Sequence, residues 1–441
     1  MENIDKAIAI ISLAIFYIVA VSNIPGIYKA IGIGTLMYLV GEYLRKKYDL
    51  EGEYGFMMIK TTKGIQDIVK AAKRFQPWLK VWVDIFIGVA FGAVGIAFMR
   101  WRTLKEKIII FFISSILIFI LSILSPVAIS FVFQVTHSIG ESSVASMPKW
   151  VVVIPYIFGM GGSITLSLYT SAAKTLVDLI NVILNNGPMP TKAGATLLLP
   201  GINLPLIEGL LALGILLVVH EGSHALLSVV GRIKLISSGI ALFGVIPVGG
   251  FIEPDEERLN KASVMAQSRV YVAGSAANLT FAIIVFLLFI SFSVLTSQYA
   301  INGCLVVGGD VIKPGTIIYS INGNSTCNIS KEINEIKLNT SSGEITLHRK
   351  ENGKFGFYII KLDREALVPR VYSTKWAQFI YNFLGLLFAL NIVVGIINLL
   401  PIPLFDGQHL TYALFGKNAI SKAIVYTALV SLIIVLIPGI L

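Results

Sequence analysis

Gly209-Leu210-Leu211-Ala212-Leu213-Gly214-Ile215-Leu216-Leu217-Val218-Val219-His220-Glu221-Gly222-Ser223-His224-Ala225-Leu226-Leu227-Ser228-Val229-Val230 is an apolar run interrupted by two imidazoles and a carboxylate within one turn. About 20 apolar residues cross a bilayer's hydrocarbon core as a helix. Ionisable groups at that depth cost about 2.5–3.5 kcal/mol each on insertion scales, so they are functional by default. Residues four apart share a helix face. His220 and His224 can therefore offer two ring nitrogens to one ion, while Glu221, one step round, is placed for proton transfer rather than ligation.

The rest of the chain has the same solvent. Of 441 residues, 55 % are apolar and 14 % charged, and the mean hydropathy is +0.80. A soluble domain is roughly 25 % charged, so this composition excludes an ordinary cytosolic enzyme, a disordered chain and, with two Cys, a disulfide scaffold. The net charge of +10 needs no nucleic acid, because Lys and Arg accumulate in loops that stay cytoplasmic. Nine apolar stretches read as spans: 7–22, 26–44, 81–99, 108–134, 150–170, 205–230, 269–296, 376–400 and 423–440. The expected fold is a polytopic α-helical membrane protein of about nine transmembrane helices. Glu2, Asp5 and Lys6 are not the basic start of a signal peptide, so 7–22 reads as an uncleaved helix.

Charge sets the orientation. Segment 45–80 holds nine Lys and Arg and reads as cytoplasmic. Counting forward, 205–230 runs from outside to inside, 231–268 is cytoplasmic and 298–375 outside. Arg100, Arg102, Lys105 and Lys107 disagree, falling outside in this count. One of the first five segments being re-entrant or interfacial is the alternative.

Residues 300–366 are polar enough for a folded domain. Lys313-Pro314-Gly315 reads as a turn, Thr316 to Ile321 as an alternating strand, and Asn322-Gly323 as a second turn. Glu332 to Leu338 has helical spacing, and Glu344 to Arg349 alternates like a strand. The order, with its Pro-Gly…Ile-Asn-Gly pattern, resembles a PDZ domain of the kind attached to bacterial and archaeal membrane proteases. The resemblance implies an extracytoplasmic PDZ-like α+β domain that binds a peptide segment by strand addition. Cys304 and Cys327 fall inside it, and their pairing is left open. His137 and His348 lack a partner at metal spacing.

His220-Glu221-x-x-His224 is the H-E-x-x-H arrangement of zinc peptidases, implying one Zn2+ ion. Hydrolytic zinc takes three protein ligands and keeps a position for water. Asp406 is the only acid between Glu365 and residue 441, at the inner end of a span in the same count, and is the expected third ligand. His409 is the rival, with the alternative of donating to a carbonyl or to a ligating carboxylate. Pro401 and Pro403 break the helix there, freeing carbonyls that must line a cavity or be buried in protein. The charge run Glu253 to Arg258 reads as a solvated loop, or as a guide for a substrate's flank.

These residues, with Asn398-x-x-Pro401-x-Pro403-x-x-Asp406-Gly407, closely resemble the site-2 proteases, intramembrane zinc metallopeptidases that cut transmembrane regulators. Ile246-Pro247-Val248-Gly249-Gly250-Phe251 resembles the family's Gly-rich β segment that dips into the membrane. Gly274-Ser275-Ala276-Ala277-Asn278 resembles its Gly-Pro-x-x-Asn motif. The resemblance covers 200–441 and implies catalytic Glu221, metal ligands His220, His224 and Asp406, and substrate contacts at Asn278, Asn398, Gly249 and Gly250. Interhelical hydrogen bonding is the alternative for both asparagines. Gly222, Ser223, Ser275, Phe405 and Gln408 depart from the usual pattern without removing a ligand or the base.

The organisation expected is N-terminal membrane helices over 1–199, a protease core over 200–298, the PDZ-like domain over 299–370 and the rest of the core over 371–441. The expected protein lies in the cell membrane as a multi-pass chain. Its site faces the cytoplasmic side and its partners are the lipid bilayer and transmembrane protein substrates. Three other readings compete: a membrane peptidase of the prenyl-protein type with Glu253, Glu256 or Glu257 as third ligand, a silent peptide binder and a transporter. The lack of an internal repeat argues against the last.

Overall fold

The computed structural model describes residues 3–22, 24, 26–135, 153–185 and 198–439, less positions 301–302, 310, 313–314, 325–326, 328, 330–332, 342, 351–353, 363–365, 370–374 and 404. The expected residues Lys313, Pro314 and Glu332 lie outside the described residues, as do His137 and the first residues of 150–170.

All nine expected spans fall on helices: α1 (Asn3–Val21), α2 (Gly26–Tyr48), α3 (Ile65–Phe98), α4 (Leu104–Val135), α5 (Ile154–Asn185), α6 (Leu206–Val230), α8 (Val264–Leu295), α9 (Lys375–Ile397) and α11 (Ala419–Leu436). Among the described residues seven are long and apolar enough to cross a membrane, and α2 and α5 are not in that set. Lys29, Glu42 and the basic end Arg45-Lys46-Lys47 lower the hydropathy of α2, and Gly, Ser and Thr dilute α5. Seven spans, against the nine expected, meet the measure. The protein is polytopic and mostly helical.

Local chemistry marks the helix ends. Ser263 caps α8 by accepting from the Ala266 amide, and Asp255 caps the short α7 (Glu256–Lys261) by accepting from Arg258. Asn418 and Ser421 form a reciprocal capping box at α11, which satisfies amides the helix cannot. Pro401 and Pro403 separate α9 from α10 (Asp406–Phe415). One hydrophobic cluster runs through α3, α4, α6, α8, α9 and α10, including the buried Leu216, Leu279 and Phe388.

Between α6 and α7 the chain forms β2 (Leu235–Phe243) and β3 (Ile246–Pro254), an antiparallel hairpin pairing Ala241 with Gly249 and Ile240 with Gly250. A third strand, β1 (Phe56–Thr61), pairs antiparallel with β2, giving the order β1-β2-β3. Segment 45–80, which reads from its charge as cytoplasmic, holds this strand and the start of α3. Lys60 on β1 bridges Glu51 at 2.7 Å and Glu253 on β3 at 2.9 Å. The Ser237 hydroxyl and the Lys60 ammonium hold the Glu253 carboxyl below its ordinary range.

After α8, β4 (Ser297–Ala300) pairs with β10 (Ala366–Pro369) at the neck of an inserted unit. The unit is a five-stranded antiparallel sheet ordered β8-β7-β6-β5-β9, built of β5 (Gly303–Gly309), β6 (Ile317–Ile321), β7 (Glu335–Thr340), β8 (Gly343–His348) and β9 (Phe357–Leu362). Residues 335–338, expected as helix, are strand β7. Its burial alternates strictly, with Ile336, Leu338 and Thr340 inward, because period-two polarity suits a half-buried strand. Among the described residues this unit holds no helix, so its α+β character is not seen there. Cys304 and Cys327 form a disulfide within it.

Asp84, fully buried on α3, receives Arg269 of α8 through two bonds of 2.8 and 2.7 Å, Arg102 at 2.8 Å and the Trp101 indole at 3.2 Å. Glu106 takes the other end of Arg102 at 2.7 Å, so two cations meet two anions. Arg102 and Arg269 therefore lie at one depth. The topology count puts the 100–107 turn and Arg269 on opposite sides, and this contact favours its alternative, a re-entrant or interfacial segment among the first five. Gly92 (φ 58°) bends α3 sharply, where it crosses Gly159 (φ 72°) of α5, so 81–99 is not one straight helix. A Cβ on Gly92 would lie 2.6 Å from the Gly159 nitrogen.

Removing one partner of a buried pair strands the other and costs about 3–5 kcal/mol. Asp84→Asn is therefore expected to lower the thermal unfolding midpoint of the purified protein sharply. The Asp84→Asn/Arg269→Gln double variant is expected to lose much less than the two single losses combined.

Candidate metal centre

Helix geometry brings His220 and His224 together on α6, with ring centroids 4.8 Å apart. The carboxylate comes from a different element. After the prolines, the Gly407 amide donates to the Asn398 carbonyl at 2.7 Å, which folds the first turn of α10 back against the end of α9. A Cβ on Gly407 would meet the carbonyls of Leu399 and Leu400 at 2.3–2.4 Å, so only glycine lets Asp406 come this close.

Asp406 Oδ2 lies 3.2 Å from His220 Nε2 and 3.2 Å from His224 Nε2. The two ring nitrogens are themselves 3.2 Å apart. A tetrahedral zinc site with bonds of about 2.0–2.1 Å separates its ligand atoms by roughly 3.3 Å. Oδ2 is buried and has no hydrogen-bond partner of good geometry, so its lone pairs are open to a cation. Space agrees as well. A Cβ on Gly274 of α8 would sit 2.4 Å from His220 Nε2 and 2.5 Å from His224 Nε2, against the two ring nitrogens. The donor set fits a divalent ion.

Behind each ring is a partner. His224 Nδ1 is 2.8 Å from the Val270 carbonyl; donating there leaves the Nε2 lone pair free. His220 Nδ1 is 3.1 Å from the Asn278 amide, which is fully buried. The Asn278 Oδ1 has no partner, and an amide's oxygen and nitrogen are interchangeable by heavy-atom shape. Turned about its axis, Oδ1 accepts the Nδ1 proton and frees the His220 Nε2 lone pair to match His224.

The three groups open into a cavity of about 490 Å3 that Glu221, Tyr271, Asn398 and His409 also line. His409 stands outside the three-atom cluster and stacks on Tyr271, with centroids 5.0 Å apart. Glu256 reaches the cavity rim; Glu253 is engaged by Ser237 and Lys60. Gly249 and Gly250 line a neighbouring apolar cavity rather than this one. The Val270 carbonyl, the Gly274 clearance and the Gly407 packing escaped the sequence reading. A carbonyl carries no sequence signal, and a glycine in a motif does not reveal which distant atoms it must clear.

Residues 208–437 match Peptidase family M50. The chain belongs to that family. M50 peptidases are membrane zinc metalloproteases, and the match takes in most of α6 and all of α8, α9, α10 and α11. The chain is also 31 % identical over 255 residues to the uncharacterized protein MJ0971 of Methanocaldococcus jannaschii. That likeness covers 52 % of this chain and 65 % of the relative, so the chain spans just under two thirds of the relative's length.

Two substitutions test the centre through zinc rather than turnover. Gly274→Ala puts a methyl where the ring nitrogens converge, and zinc content after equilibrium dialysis is expected to fall to background. Asn278→Leu keeps the volume but removes the acceptor. Chelator competition is expected to show zinc bound about 10–100-fold more weakly.

Proposed function

We propose that this protein is an intramembrane zinc endopeptidase that hydrolyses peptide bonds within or next to transmembrane segments of membrane-protein substrates. The observation that carries the proposal is the meeting of the Asp406 carboxylate of α10 with the His220 and His224 ring nitrogens, which share with Glu221 a helix of spanning length.

Bound zinc would supply Lewis acidity and make water nucleophilic near neutral pH. The chain's own groups do the rest. His220, His224 and Asp406 hold the ion, with Val270 and Asn278 setting the rings. Glu221 accepts the proton of the water that attacks the scissile carbonyl and returns it to the leaving amine. Asn398, which lines the cavity, is placed to hold substrate backbone.

A helical substrate shields its peptide bonds, so the reading includes local unwinding. An extended segment added to the outer edge of β3 keeps its backbone groups paired. The site faces the cytoplasmic side in this reading, in keeping with Arg232, Lys234, Arg258 and Lys261 after α6. The disulfide-bearing unit lies on the extracytoplasmic side, where disulfides persist, and holds a peptide segment there.

The prenyl-protein type of membrane peptidase is the second reading, because Glu256 reaches the cavity rim. It requires a glutamate as third ligand, whereas Asp406 stands in that position here. Asp406→Ala is expected to lose zinc, and Glu256→Ala to keep it.

The deciding experiment uses purified protein, a single-span test substrate and a chelator. Wild type is expected to contain one zinc and cut the substrate, with cleavage lost on chelation. Glu221→Gln is expected to keep zinc and lose cleavage by at least about a hundredfold. Cleavage retained by Glu221→Gln removes that residue from its role, and a folded wild type without zinc removes the whole reading.

A further inference from the structure

Next to the metal cavity lies a second hollow of about 530 Å3, almost wholly apolar, between the α1–α2 hairpin, α6 and β3. Its hairpin wall is outside the residues matching the peptidase family. That wall is built in, since buried Lys29 of α2 donates to the Ala20 carbonyl at the end of α1 at 2.7 Å. Ala30, Gly34, Gly214, Leu217, Gly249 and Gly250 contribute to the lining. A Cβ on Gly34 or Gly214 would meet nothing within 4 Å, so among the described residues the space there is unfilled.

Two features connect the hollow to the chemistry. Leu217 lines both cavities. Strand β3 touches the hollow with Ile246 to Gly250 and the metal cavity with Ile252 and Pro254. It is also an outer strand, pairing with β2 on one side and, among the described residues, with no strand on the other. Unpaired backbone at membrane depth is costly. A lipid chain would fill the volume but offer that edge no hydrogen bond. An extended polypeptide satisfies both, because alternate side chains of an added strand point to one face.

We propose that this hollow is a specificity subsite, in which the α1–α2 hairpin receives bulky apolar side chains of a polypeptide lying along β3, beside the bond to be cut. The assignment rests on the proteolytic reading above for its purpose, but not for its test. Small residues on the walls leave room for Leu, Met or Phe, and enlarging a wall should exchange that preference for small residues.

Disulfide cross-linking in a Glu221→Gln background tests occupancy without requiring cleavage, since both native cysteines are already paired. Gly34→Cys and Gly214→Cys are expected to trap a single-span substrate through cysteines at alternate positions of one short stretch. In the active background, Gly34→Leu and Gly214→Leu are expected to keep zinc and to cut a substrate with Leu or Phe in that stretch at least tenfold less well. Replacing those substrate residues by Ala is expected to restore the rate. The proposal is overturned if no substrate position cross-links, or if zinc-loaded Leu variants cut both substrates as wild type does, meaning that lipid or the chain itself fills the hollow. Cross-linking with a zinc-loaded wild type that cuts nothing would uphold the subsite and defeat the proteolytic reading.

Discussion

Three donor atoms from two separate helices crowd to within 3.2 Å of one another, and the surrounding architecture serves that crowding. Two imidazoles and a carboxylate buried together have given up water, a loss that fixed partners or a bound cation must offset. The arrangement therefore has to be enforced from outside. Gly274 leaves the volume open, Val270 and Asn278 hold the rings from behind, and Gly407 lets the carboxylate turn pack on the carbonyls at the end of α9. Each constraint is steric or a single hydrogen bond; α8 supplies those on the histidines of α6, and Gly407 acts from within α10 beside Asp406.

The membrane makes the second demand. Arg269 is adjacent in sequence to Val270, whose carbonyl meets His224, and its charge is buried. Asp84 neutralises it from the N-terminal part of the chain, and Arg102 and Glu106 complete a balanced set of four charges. The basic turn that disagreed with the orientation count is thus drawn beside the start of α8. Summing spans treats each apolar stretch as one straight crossing. The positive-φ glycines of α3 and α5 break that assumption, and no hydropathy pattern reports such a bend.

Much of the candidate site was legible because its chemistry is local. His220, Glu221 and His224 sit within one helical turn, and Asp406 was found by scarcity, as the only acid in a long stretch of apolar chain. Asn278 was found, but the structure places its amide against His220 Nδ1, a contact that spacing along the chain does not reveal. Strand β7 was misread because a short segment with charged residues at its edges satisfies helical and alternating patterns alike. Strand β1 was missed for another reason. It is a strand only through its partner β2, far away in the chain.

Composition, apolar run lengths and two short motifs determined that the chain is a multi-pass membrane protein, roughly where its apolar helices lie, and which side chains are the candidates for its chemistry. These follow from solvent and covalent spacing, properties each residue brings with it. Only the tertiary structure decided which glycine clears the metal volume, which carbonyl orients each ring, and which distant acid neutralises Arg269. It also decided that the N-terminal hairpin walls the hollow beside β3. Those relations are distances between residues far apart in the chain, and burial of the intervening apolar surface sets them.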